Sequence, residues 1–119
     1  MLEILSKPIL VSGSSVGPLE VHYAADAAQT GWNEKCFDYI KRFEQTVCDT
    51  LGVKYAVATP SCTAALHLSL LTIGVKAGDE VILPDSTWVA TANAVSYTGA
   101  TPVFVDVCQD DWTMDPEAV

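Results

Sequence analysis

The sequence predicts an α/β protein, a mainly parallel sheet with helices on both faces. Three observations carry that expectation. From Tyr55 onward, short runs rich in Val, Ile and Phe alternate with stretches of about a dozen residues at helical spacing. Glycines follow the helical stretches, at Gly52, Gly74 and Gly99, where a helix needs a stop. Half of the 119 residues are apolar, enough to build a core.

The elements follow in order. After an irregular lead-in containing the turn-forming VSGSSVG, a helix is expected from Pro18 to Ala28. Proline suits its first turn, Leu19, Tyr23 and Ala27 share a face, and Gly31 ends it. A second helix, Glu34 to Leu51, sets Phe37, Ile40, Phe43, Val47 and Leu51 on one stripe. Then come a strand at Tyr55 to Ala58, a helix at Cys62 to Ile73, a strand at Glu80 to Leu83, a helix at Thr87 to Tyr97 and a strand at Thr101 to Val107. Parallel strands need crossovers of this length, and the crossover helices cover the sheet. The closing TMDPEAV reads as a new helix start, with Asp115 as N-cap, Pro116 at the first position and Glu117 near the positive end of the dipole. One turn does not offset its nucleation cost, so the chain is expected to be the front part of a larger protein.

Composition narrows the function. The formal net charge is -9, with acids scattered from Glu3 to Glu117, which argues against a nucleic-acid or anionic-membrane surface. No basic start followed by an apolar stretch marks a signal peptide, and no apolar run is long enough to span a bilayer. Cys36, Cys48, Cys62 and Cys108 lack metal-ligand spacing and read as free thiols of a reducing cytoplasm, with no metal site.

In α/β sheets ligands bind at the carboxyl ends of strands, which singles out the loops at Thr59 to Cys62 and Pro84 to Trp88. The first opens a helix on Ser61, Cys62, Thr63 and Ala64. Hydroxyl residues there cap the orphan N–H groups of the first turn, and that alone explains many such turns. Small side chains at a helix N-terminus also let a phosphate approach those N–H groups and the positive dipole end. In the second loop Trp88 is expected in the first turn of its helix, either as a core anchor or as a surface for a flat ring attached to that phosphate. Pyridoxal 5'-phosphate meets both features, and flavin mononucleotide meets the same physics.

The order GVKYAVATPSCTAALHLSLLTIGVKAGDEVILPDSTWVATANAVSYTGATPVFVDV resembles the N-terminal part of the DegT/DnrJ/EryC1/StrS family of pyridoxal-phosphate sugar aminotransferases. TGWNEKCFDYIKRFEQTVCDTLG is similar to the family's SGW segment and following helix, so the resemblance covers nearly the whole chain. It implies the large domain of the fold-type I pyridoxal-phosphate transferases. Residues 1–33 would form an N-terminal arm and first helix, and 34–119 an incomplete cofactor-binding domain ending before the catalytic lysine.

Carried over residue by residue, the phosphate-binding turn falls on Thr63 and Ala64, with Cys62 where many members have Gly or Ala. The ring-stacking aromatic falls on Trp88. Trp32 and Asn33 match the SGW region, which lies near the active-site mouth in relatives, although a structural role fits them equally. Asp106 is not the acid that pairs with the pyridine nitrogen, because the family places that acid on a later strand. His22 and His67 read as core or interface residues. None of Lys7, Lys35, Lys41, Lys54 and Lys76 lies in the context of the family's cofactor lysine, so no residue here is assigned as catalytic and the chain alone is expected to be inactive.

The resemblance implies amination of a nucleotide-linked 4-keto-6-deoxy sugar with glutamate as donor, in a homodimer with its site at the interface. Two other readings stay open. One is a nucleotide-sugar 3-dehydratase of the same family, which keeps the cofactor site and replaces the lysine. The other is a truncated, non-catalytic protein that binds a phosphate-bearing ligand or pairs with a full-length homologue.

Overall fold

The computed structural model describes residues 12–119, which divide into two compact units, one ending at Val57 and one spanning Ala58–Val119. In the first unit, α1 (Pro18–Thr30) starts where Glu20 reaches back to accept from the Gly17 N–H at 2.7 Å, with Pro18 at the first helical position. It runs two residues beyond the expected Ala28 and stops at Gly31, whose N–H donates to the Ala27 carbonyl at 2.9 Å. A Cβ at Gly31 would meet that carbonyl oxygen at 2.5 Å, so the turn admits no side chain.

The expected helix from Glu34 is split. A 3₁₀ turn at Asn33–Lys35 precedes α2 (Asp38–Leu51), and Phe37 is the α2 N-cap. Gly52, at φ 66, closes α2 in the left-handed region. The apolar stripe is real as a pattern but uncovered: Ile40, Phe43 and Leu51 are exposed, and no described residue of this unit is fully buried.

The second unit holds α3 (Cys62–Thr72), β1 (Glu80–Pro84), α4 (Val89–Tyr97) and β2 (Thr101–Val105). β1 and β2 pair in parallel, in register from Glu80 with Thr101 to Pro84 with Val105, and α4 is the crossover between them. Leu83, Val95 and Ala100 form the buried core, joined by Leu70 from α3 and by Val75, Val81 and Ala92. Burying a Leu or Val side chain contributes about 1.5–3 kcal/mol, which fixes α4 on the sheet and α3 on α4.

Three sequence expectations change here. Among the described residues Tyr55–Ala58 forms no strand, and Tyr55 and Val57 are exposed. β-Propensity reports a residue's fit to a pleated surface, but a strand exists only where a ladder partner is present. The last strand stops at Val105, and Val107 instead makes an isolated antiparallel bridge to Met114. The expected helix at Thr87 begins at Val89, because Thr87 turns back to donate its N–H to the Asp85 carbonyl at 3.1 Å. Asp115 caps the Pro116–Ala118 turn as its sequence foretells, accepting from the Glu117 N–H at 2.9 Å. Among the described residues no helix is long and apolar enough to cross a membrane.

Candidate functional site

The amino end of α3 is built by Ser61. Its backbone is extended, its carbonyl accepts the first helical bond from Ala65 at 3.1 Å, and its Oγ accepts from the Ala64 N–H at 3.2 Å. Thr59 Oγ1 donates to the Ser61 carbonyl at 3.2 Å and steadies the turn. Capping therefore occupies one of the amides assigned to the phosphate turn, that of Ala64. The N–H groups of Cys62 and Thr63 have no acceptor among the described residues. They stand as orphan donors at the positive end of an eleven-residue helix. The Cys62 side chain is exposed, and Thr63 and Ala64 are half-buried.

Trp88 follows the carboxyl end of β1 and is the N-cap of α4, one position before the first turn where the sequence put it. Its side chain makes no cap hydrogen bond and is 79% exposed. The Thr91 N–H donates to its carbonyl at 3.0 Å, and the hydroxyls of Thr87 and Thr91 meet at 3.1 Å beside it. α3 and α4 pack against each other, so the orphan amides and the exposed indole lie at the amino ends of two touching helices within one unit.

Trp32 and Asn33 belong to the other unit. Trp32 Nε1 donates to the Ala28 carbonyl at 2.7 Å and satisfies one of the last carbonyls of α1, while most of the indole stays in solvent. Asn33 has φ 53, a left-handed conformation that Asn tolerates better than most residues. Beside them lies a cluster that the sequence reading did not single out. Tyr39 Oη donates to Asp26 Oδ2 at 2.5 Å, Thr30 Oγ1 reaches the same oxygen at 3.4 Å, and Arg42 donates to Tyr23 Oη at 3.0 Å with its guanidinium 4.9 Å from the ring centre. The Tyr39 hydroxyl is held above its ordinary range, first by that hydrogen bond to a carboxylate, then by desolvation and the Asp26 charge. The signal was present: polar residues three apart on each helix, Tyr23 with Asp26 and Tyr39 with Arg42, beside the apolar stripe.

Several other titratable residues have partners within the fold. Asp106 Oδ1 accepts from the Val107 N–H at 2.7 Å, and its carboxylate lines a cleft of about 420 Å³ with Cys108, Trp112 and Asp115. His67 meets the Tyr97 ring edge-on at 5.7 Å, across the α3–α4 contact. His22 lies 5.7 Å from the Tyr23 ring. The Lys54 ammonium sits 5.0 Å above the Tyr55 ring, and Lys7 falls outside the described residues. All four cysteines are free, and no group of three metal-binding side chains occurs among the described residues.

Comparison with known proteins places the chain. The family model of the DegT/DnrJ/EryC1/StrS aminotransferases, which depend on pyridoxal phosphate, matches residues 15–119. GDP-perosamine synthase of Escherichia coli O157:H7 is 40% identical over 108 residues, covering 91% of this chain and 30% of that protein. Among solved structures, the aminotransferase from Psychrobacter cryohalolentis superposes with a TM-score of 0.79 at 30% identity, over 87% of this chain and 27% of that one. NtdA of Bacillus subtilis, with its cofactor PMP bound, gives 0.72 at 31% identity, over 83% and 22%. The chain thus spans about a third or less of the relatives it matches. It belongs to the DegT/DnrJ/EryC1/StrS aminotransferase family.

Proposed function

We propose that this chain is the phosphate cup and ring-stacking wall of a pyridoxal-phosphate aminotransferase that acts on a nucleotide-linked keto-deoxy sugar with glutamate as amino donor. The observation that carries the reading is the pair of orphan N–H groups of Cys62 and Thr63 at the start of α3, in a chain of this family. They fit a phosphate: two donors without acceptors stand at the positive end of a helix dipole, with small side chains around them. Ala64 becomes a third donor when the Ser61 hydroxyl, at 3.2 Å from it, rotates away. Trp88, exposed at the neighbouring helix start, supplies a face for the pyridine ring.

When bound, pyridoxal phosphate supplies the electron sink on which an amino group is exchanged. The chain's own part is to hold and orient it. The amides neutralise the phosphate dianion without a lysine or arginine, which suits a chain of net charge -9. Trp32 and Asn33 are assigned to the substrate side, residues 34–119 to the cofactor-binding domain and 1–33 to its arm. The working enzyme is a homodimer.

The test uses the protein translated from the full reading frame, supplied with glutamate and a nucleotide-linked 4-keto-6-deoxy sugar. Release of 2-oxoglutarate with formation of the amino sugar is expected. Cofactor binding without amino transfer to any such sugar would refute the substrate assignment.

A further inference from the structure

We propose that Thr91, through the contact of its hydroxyl with that of Thr87, is a positioning residue for the Trp88 indole: the pair fixes the backbone from which that ring reaches the pyridine of the cofactor. The inference rests on the ring-stacking role given to Trp88 above. It adds the residues through which that role is exercised.

The need for such a device follows from how little holds the indole itself. Trp88 is 79% exposed, its side chain makes no cap hydrogen bond, and its Nε1–H has no acceptor among the described residues. Neither close packing nor a hydrogen bond of its own sets the ring, and a plate free to swing loses part of its stacking energy to ordering when a ligand arrives.

The main chain on both sides of Trp88 is fixed instead. The Asp85 N–H donates to the Val105 carbonyl at 2.9 Å, which ties the loop after β1 to the end of β2. The Thr87 N–H returns to the Asp85 carbonyl at 3.1 Å, and the Thr91 N–H donates to the Trp88 carbonyl at 3.0 Å. The two threonine hydroxyls, 3.1 Å apart, then join the loop before Trp88 to the first turn of α4 after it. Trp88 is enclosed by these bonds at φ -70 and ψ 138, which sets its Cα–Cβ direction and leaves the indole a few staggered rotamers. Both flanking residues are β-branched and stiff at χ1, so each hydroxyl meets its partner with little rotamer freedom to lose. Thr91 is the half-buried member and Thr87 the exposed one. Valine at position 91 keeps the branched shape and removes the hydroxyl, whereas serine keeps the hydroxyl and drops the methyl.

Calorimetric titration of the 119-residue chain tests this with two probes. Pyridoxine 5'-phosphate carries ring and phosphate but no aldehyde to react with lysines, and inorganic phosphate meets only the α3 cup. Trp88→Ala should weaken pyridoxine 5'-phosphate about fivefold, and Thr91→Val about threefold as a part of the same stacking. Thr91→Val should leave inorganic phosphate unchanged, and Thr91→Ser should bind both probes as wild type does. Added to Trp88→Ala, Thr91→Val should cost nothing more, because it acts through the indole. A threonine with a merely structural role would weaken both probes or add its loss to that of Trp88→Ala, and either result would overturn the proposal, as would a serine variant as weak as the valine one. Wild-type binding by Thr91→Val beside weakened binding by Trp88→Ala overturns the positioning role alone. Wild-type binding by Trp88→Ala overturns the stacking role and the positioning role together.

Discussion

Replacing Trp88 separates folding from ligand binding, because the residue occupies a helix cap without acting as one. About a fifth of its surface is buried, so of the roughly 250 Å² that a tryptophan offers, about 50 Å² is withdrawn from water. At about 25 cal/mol per Å² that is ~1 kcal/mol, an upper bound for what Trp88→Ala removes from stability. Trp88→Ser loses the same area but gains a side-chain oxygen at the N-cap of α4, worth about 1 kcal/mol. The serine variant should therefore unfold at nearly the wild-type denaturant concentration, with the alanine variant about 1 kcal/mol below it. Both should bind pyridoxal phosphate about fivefold more weakly, since aromatic stacking contributes ~1 kcal/mol. Urea melts give the first quantity and equilibrium cofactor titration the second. Wild-type affinity in the serine variant, or a loss of several kcal/mol in both, would return Trp88 to a packing role.

Other outcomes follow from single contacts. Ser61→Ala should cost about 1 kcal/mol in a urea melt by uncapping Ala64. The Asp111 carboxyl accepts from the N–H and the hydroxyl of Thr113, which hold it below its ordinary value. A depressed carboxyl stabilises the fold above its unfolded pKa, so Thr113→Val should leave less stability to be lost as the pH falls below about 4, read from acid titrations of both proteins. The raised Tyr39 hydroxyl has the opposite sign: its bond to Asp26 holds through neutral pH and is lost as the pH climbs past the ordinary tyrosine range, and phenolate absorbance in wild type against Asp26→Asn checks it. The 119-residue chain itself should show no amino transfer from glutamate, because none of its lysines has the context of the cofactor lysine.

What the sequence made legible was what depends on neighbours in the chain. α1, α3 and α4 were readable from Pro18, Ser61, Gly31 and Gly99, residues whose effect reaches one turn. The βαβ unit from Glu80 to Val105 followed from its periods and crossover length. Strand pairing depends on residues distant in the chain, so Tyr55–Ala58 reads as β in sequence and forms no strand among the described residues. The α2 stripe likewise told which face is apolar and not whether anything covers it.

The candidate site was half legible. Small hydroxyl residues after a strand-like run pointed to the α3 terminus, and family order pointed to Trp88. Which amides are engaged is a matter of rotamer, and the Ser61 hydroxyl took Ala64 and left Cys62 and Thr63. The Tyr39–Asp26 and Arg42–Tyr23 pairs join residues 13 and 19 positions apart, and no local rule places two antiparallel helices in that register.

The central claim is that the start of α3 holds the phosphate of pyridoxal phosphate. It is tested most directly by titrating this chain and its Thr63→Pro variant with pyridoxal phosphate and with pyridoxal, which lacks the phosphate. The account predicts that wild type binds the phosphorylated form at least about tenfold more tightly, one charge-assisted contact or more, and that the variant loses most of that preference while its affinity for pyridoxal is unchanged. Equal affinity for the two forms in wild type, or an undiminished preference in the variant, would contradict it.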